Sequence, residues 1–169
     1  KMLSYHNETA AERVRTLYDL VIDDTPRIVV SSTAALMQRL IPRRILCDFA
    51  ELVMASEDLD RDRLVEKLMS GGYVRSAIVE EPGDFSVRGG ILDIFSPYYP
   101  DPIRIEQIGD SVDSIRFFSP ITQRTQKTTG EAVILPAGEA VLAKTGLKSV
   151  TGRFRARATA QGLTVTQSR

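Results

Sequence analysis

The sequence predicts an α+β protein: an antiparallel sheet packed on one or two helices, flanked by α/β elements. Three observations carry that expectation. From residue 73 to residue 135, short apolar runs recur between turn residues, most clearly from Gly83 to Pro97 around Gly89-Gly90, as antiparallel strands in a meander do. Just upstream, Leu64, Val65, Leu68 and Met69 form one helical stripe. Residues 9–40 instead run helix, strand, helix in quick succession, which is α/β texture.

Taken in order, Thr9-Ala10-Ala11-Glu12 has the form of a capping box, in which Thr and Glu satisfy orphan amides at a helix start. The helix it predicts carries Val14, Leu17, Tyr18 and Val21 on one face and ends at Asp23-Asp24-Thr25-Pro26. Arg27-Ile28-Val29-Val30-Ser31 reads as a buried strand. Thr33 reads as the cap of a short helix over residues 34–40, halted before Pro42. One strand cannot make a sheet, so residues 1–47 are expected to close a larger parallel-sheet domain. From Asp48 the texture changes. Residues 51–55 read as a strand, Asp60 as an N-cap, and Gly71-Gly72 as the stop of the helix that follows. Strands are then expected at residues 73–80, 84–88, 91–96, 102–108, 111–118 and 131–135, all antiparallel. Alternation puts Phe85 and Val87 opposite Ser86 and Arg88, and Ile103 and Ile105 opposite Arg104 and Glu106, so one face meets the helix and the other solvent. Gly89-Gly90 predict a bulge or a close approach of backbones. Past Pro136 a last helix over residues 147–160 is expected, then a strand beginning at Leu163-Thr164-Val165-Thr166. The sequence has neither an internal repeat nor a low-complexity segment.

The 169 residues are 43% apolar, enough for a core, and the net charge is zero. That zero conceals segregation. Residues 1–47 hold seven bases and five acids, a balance of +2; residues 48–136 hold nine and sixteen, −7; residues 137–169 hold six and one, +5. An acidic middle segment argues against its gripping a phosphate backbone, whose affinity comes from Lys and Arg. The basic tail, with Arg153, Arg155 and Arg157, offers either a solvated helix face or a nucleic-acid contact. Opening at Lys1 and ending in a polar run, the chain is expected to be a piece of a longer protein. No apolar window approaches the roughly 18 residues of a membrane span, and no signal peptide starts the chain, so a soluble, intracellular protein is expected. The lone cysteine, Cys47, is expected to be a buried hydrophobe, and the lone histidine, His6, leaves no cluster with metal-ligand spacing.

Catalytic patterns are missing. Gly146-Leu147-Lys148-Ser149 is a partial look-alike of a phosphate-binding loop, but Val141 stands where the upstream glycine belongs. Asp93 with Glu106, or Asp110 with Asp113, are the carboxylate pairs that general acid/base chemistry would use. They fall at turns and on strand faces where solvated acids are common, so the chain by itself is not expected to be an enzyme.

Arg88-Gly89-Gly90-Ile91-Leu92-Asp93-Ile94-Phe95, with Ile103-Arg104-Ile105-Glu106 and Ile115-Arg116-Phe117-Phe118, resembles a pattern shared by the nucleotide excision repair protein UvrB and the bacterial transcription-repair coupling factor, Mfd. The resemblance runs over most of residues 9–140 and includes Leu59-Asp60-Arg61-Asp62-Arg63-Leu64 and Leu135-Pro136-Ala137. Gln123-Arg124-Thr125 and Leu36-Met37-Gln38-Arg39 resemble the coupling-factor versions of those segments, and residues 1–12 lack the Tyr-rich sequence of the hairpin that UvrB inserts into DNA. The resemblance implies the end of domain 1a at residues 1–47, a UvrB domain 2-like module at 48–136, and the start of domain 1b at 137–169. It implies UvrA as the partner of that module. For the parent protein it implies RNA polymerase and double-stranded DNA as partners, a further domain that covers the UvrA site, ATP and Mg in motor domains outside this chain, and a bacterial cytoplasmic location. No cofactor is implied for the chain itself. The competing readings are a UvrB fragment and a nucleic-acid-binding module using the basic tail.

Carried over residue by residue, the resemblance makes Arg75 and Arg88 the UvrA-contacting arginines; read from the residues alone, Arg88 is an ordinary strand residue paired with Glu106 or Asp93 across the sheet. The planar guanidinium fork suits bidentate pairing with a carboxylate. Ser86 stands where UvrB has another arginine, which removes one ion pair. Phe95 is either an apolar anchor beside these charges or part of the core.

Overall fold

The computed structural model describes residues 4–23, 25–139 and 141. The expected tail helix, the strand from Leu163, and Arg153, Arg155 and Arg157 lie outside the described residues. In chain order the elements are α1 (Ser4–Ile22), α2 (Thr33–Leu36), α3 (Arg43–Phe49), β1 (Glu51–Met54), α4 (Arg61–Ser70), β2 (Val74–Arg75), β3 (Asp84–Arg88), β4 (Ile91–Ile94), β5 (Ile103–Ile108), β6 (Ser111–Phe118), β7 (Thr125–Thr129) and β8 (Glu131–Ile134). The α+β class holds: β2 to β7 form one six-stranded sheet in sequence order, and β1 and β8 form a separate antiparallel ribbon.

The central sheet is built by alternation. Phe85, Ile94 and Ile103 share one register row, and Leu92, Ile105 and Ile115 the row two residues on; all six are fully buried. Against this face packs α4, capped by the Asp60 carboxylate, which accepts the Arg63 amide at 2.9 Å. Leu64 and Leu68 are its buried stripe, each contributing about 1.5–3 kcal/mol on burial, while Met69 is half exposed. Val53, Ala132 and Ile134 of the ribbon complete the same core.

A second core joins α1 to α3 through Val14, Tyr18, Ile41, Leu46 and Leu135. Edge-to-face rings run from Tyr18 through Tyr98 and Tyr99 to Phe117, with centroids 5.0–5.8 Å apart, linking the two cores.

Several expectations fail for identifiable reasons. Helix α1 starts at Ser4, so Thr9 and Glu12 lie inside it; no proline or glycine upstream stops propagation. Residues 27–31 form no strand. No described strand pairs with them, and Ile28 and Val30 are over 90% exposed. Helix α2 is one turn, capped by Ser32 rather than Thr33. Helix α3 was not expected; Pro42 starts it at φ −61°, and Leu46 and Phe49, three residues apart, are its buried face. Cys47 lies on the opposite side of that helix and is exposed, not buried. Strand β2 is two residues long and parallel to β3, because the chain returns through a compact loop over residues 76–83. Polar β7 was not expected, since Thr125-Gln126-Lys127-Thr128-Thr129 shows no apolar alternation; it is an exposed edge strand. Strand β8 joins β1 instead of the main sheet.

Candidate docking surface

The sheet face turned away from α4 is not simply solvated. Ser86, Asp93, Arg104 and Arg116 occupy one cross-strand row on it. Ser86 and Asp93 are almost wholly buried there. The loop over residues 76–83 closes on this face: the Ser86 hydroxyl donates to the Ala77 carbonyl at 3.3 Å, and Val79 packs with Phe95 and Phe118 in a small buried cluster. Gln123, at φ 59°, holds the same loop by donating to the Val79 carbonyl at 3.1 Å. The small side chain at position 86 is what lets the loop approach so closely.

Asp93 is the hub. With 1% of its side chain exposed, it accepts Arg104 Nε at 2.7 Å and Arg104 Nη2 at 2.8 Å, and Arg88 Nη2 at 2.6 Å. The Arg104 guanidinium also lies 4.6 Å from the centre of the Phe118 ring. Its pKa is pushed up, chiefly by the hydrogen bond to Asp93, against the opposing effect of burial. Arg116 pairs with Glu106 at 3.2 Å on the same face. The two carboxylates proposed from sequence as a catalytic pair are therefore each engaged by arginine, as structural ion pairs are. Asp110 and Asp113 are both exposed, on and beside the β5–β6 turn.

Arg88 ends β3 immediately before Gly89-Gly90. Gly89 at φ +58° followed by Gly90 has the sign pattern of a type II′ hairpin turn. At Gly90 the backbones approach closely: a Cβ there would stand 2.6 Å from the Gln107 carbonyl oxygen, while the Gln107 amide donates to the Gly90 carbonyl at 2.8 Å. Arg61 at the start of α4 donates to the Gly89 carbonyl and braces the turn from the other side. The Arg88 side chain is 49% exposed, with one of its N–H groups on Asp93.

Arg75 lies at the same sheet edge, on exposed β2, and makes no ion pair with another described residue. Its register partner is Phe85, three residues before Arg88, or about 10 Å along the strand at about 3.3 Å per residue. By alternation Arg75 leaves the sheet on the Phe85 side and Arg88 on the Asp93 side. A partner touching both must wrap the β2 edge. Phe95, by contrast, is 6% exposed and belongs to the core. Of its two sequence readings the structure gives the interior one, because the 76–83 loop covers the ring.

Sequence reasoning did not find the Asp93–Arg104 pair. Its signal was present, since alternation and strand order together set the two residues side by side, but the register was needed to see it. Among the described residues no group of acidic, histidine or cysteine side chains is arranged to hold a metal ion, and no helix is long and apolar enough to cross a membrane.

Residues 53–139, about half of the chain, match the family model of the UvrB interaction domain. The chain is also similar to the transcription-repair-coupling factors of Myxococcus xanthus (40% identical over 131 residues), Bacillus subtilis strain 168 (36% over 135) and Staphylococcus haemolyticus (37% over 132). These matches cover 78–80% of this chain and 11% of each relative's own length. The chain belongs to the UvrB interaction domain family.

Proposed function

We propose that the chain is a protein-docking module that recruits UvrA for transcription-coupled nucleotide excision repair. Residues 48–136 are the module, and residues 1–47 and 137–169 are parts of the adjoining domain. The observation that carries this reading is a half-exposed arginine, Arg88, at the tip of a tight hairpin within the matched region, with Arg75 exposed at the same edge. Arginine in such a setting suits acidic side chains of a partner. The module contributes no chemistry of its own. Since the relatives are several times longer, the parent protein in this reading supplies the ATP- and Mg-dependent motor acting on DNA, the contact with RNA polymerase, and a domain that covers the docking edge until it is needed.

The test is binding of purified UvrA by this chain, measured by calorimetry with Arg75→Ala and Arg88→Ala alongside. Arg88→Ala is expected to cost about 2–4 kcal/mol of affinity, the range of an interface hot spot, with the fold intact. Equal binding by the variant and the wild type refutes the reading.

A further inference from the structure

The ion-pair array around Asp93 is unbalanced. One buried carboxylate meets two guanidinium groups, and the neighbouring Arg116 and Glu106 neutralise each other. The array therefore carries one surplus positive charge. Its two cations differ in access: Arg104 is 16% exposed, held by two bonds to Asp93 and by the Phe118 ring, whereas Arg88 is 49% exposed and spends one bond. A guanidinium has five N–H donors, so the Arg88 fork retains donors for a second acceptor. Glu106, in the Arg88 register row across Ile91, is occupied by Arg116 and Ser114 and does not compete.

Resting on the docking reading above, we propose that Asp93 is a positioning residue for the interface: neutralised from within by Arg104, its carboxylate holds the Arg88 fork in place so that a carboxylate of the partner completes the array. Arginine loses rotamer freedom when it docks, and fixing it beforehand lowers that cost. The partner group is thus an aspartate or glutamate, approaching the Asp93 side of the sheet at the hairpin tip. A lysine at position 88 would supply the charge without the fork.

A double-mutant cycle with purified UvrA tests the proposal, using the full 169-residue chain as wild type, Arg88→Ala, Asp93→Asn and the double variant, each checked for folding by circular dichroism. Asp93→Asn is expected to weaken binding about tenfold or more when Arg88 is present and less than about threefold when it is not, since contacting residues couple. An equal loss in both backgrounds indicates a merely structural role and overturns the proposal. Removing the carboxylate leaves Arg104 without its partner, so Asp93→Asn can fail to fold. Side-chain nitrogen relaxation of Arg88 in the unaltered protein then decides: an ordered Nε–H in the free chain supports the proposal and a freely moving one overturns it. If Arg88→Ala binds UvrA as wild type does, the docking reading itself fails and the proposal falls with it. If Arg88→Ala weakens binding while Asp93→Asn does not, only the positioning role is lost.

Discussion

Replacing Gly90 with alanine tests whether the hairpin tip is fixed by contact of two backbones. The added Cβ would stand 2.6 Å from the Gln107 carbonyl oxygen, which belongs to β5 and cannot swing aside as a flexible side-chain end could. Either the turn or β5 must move, and the Gln107 to Gly90 hydrogen bond of 2.8 Å is stretched. Overpacking of this kind costs about 1–3 kcal/mol and a weakened hydrogen bond about 0.5–1.5 kcal/mol. The reduced entropy of the unfolded chain returns about 0.4–1 kcal/mol. A net loss of about 1–3 kcal/mol is expected, read as a lower urea midpoint at constant slope. Gly89→Ala is the internal control. Nothing lies within 4 Å of its Cβ, so its cost is the strain of φ +58°, about 1–2 kcal/mol, which asparagine relieves in part. At Gly90 asparagine should be at least as damaging as alanine. If Gly90→Ala unfolds within about 0.5 kcal/mol of wild type, close approach at this turn is not what positions Arg88.

Two further outcomes follow from single residues. Asp60→Ala removes the side-chain acceptor of the Arg63 amide and should lower stability by about 1 kcal/mol in denaturant titration, with little change for Asp60→Asn. Asp23, held by Arg27 and by the Thr25 amide and hydroxyl, has its pKa lowered to about 2 from 3.8. Because the folded value is depressed, what the carboxylate contributes to this turn is complete above pH of about 4 and lost as pH falls through about 2; carboxyl NMR titration of wild type and Arg27→Gln should show the midpoint rising in the variant.

Hydrophobic period alone revealed much of this protein. The stripe of α4, its Asp60 cap, the four strands from β3 to β6 and the two faces of each follow from local pattern, because an α-helix and a strand bury different residue spacings. Arg88 was singled out instead by the family resemblance around Gly89-Gly90, since its residue type and spacing alone read as an ordinary strand residue. Where an element's partner is distant in sequence, local pattern failed. The ribbon of β1 with β8, the parallel seat of β2, the polar edge β7 and the unpaired segment 27–31 were all decided by what lies beside them in space. The site divides the same way. Phe95 and Ser86 have residue types that fit either a surface or an interior, and the 76–83 loop decided for the interior. Asp93 becomes a hub only when register sets it beside Arg104 and within reach of Arg88, since the identity of a charge is written locally but its partner is a fact of folding.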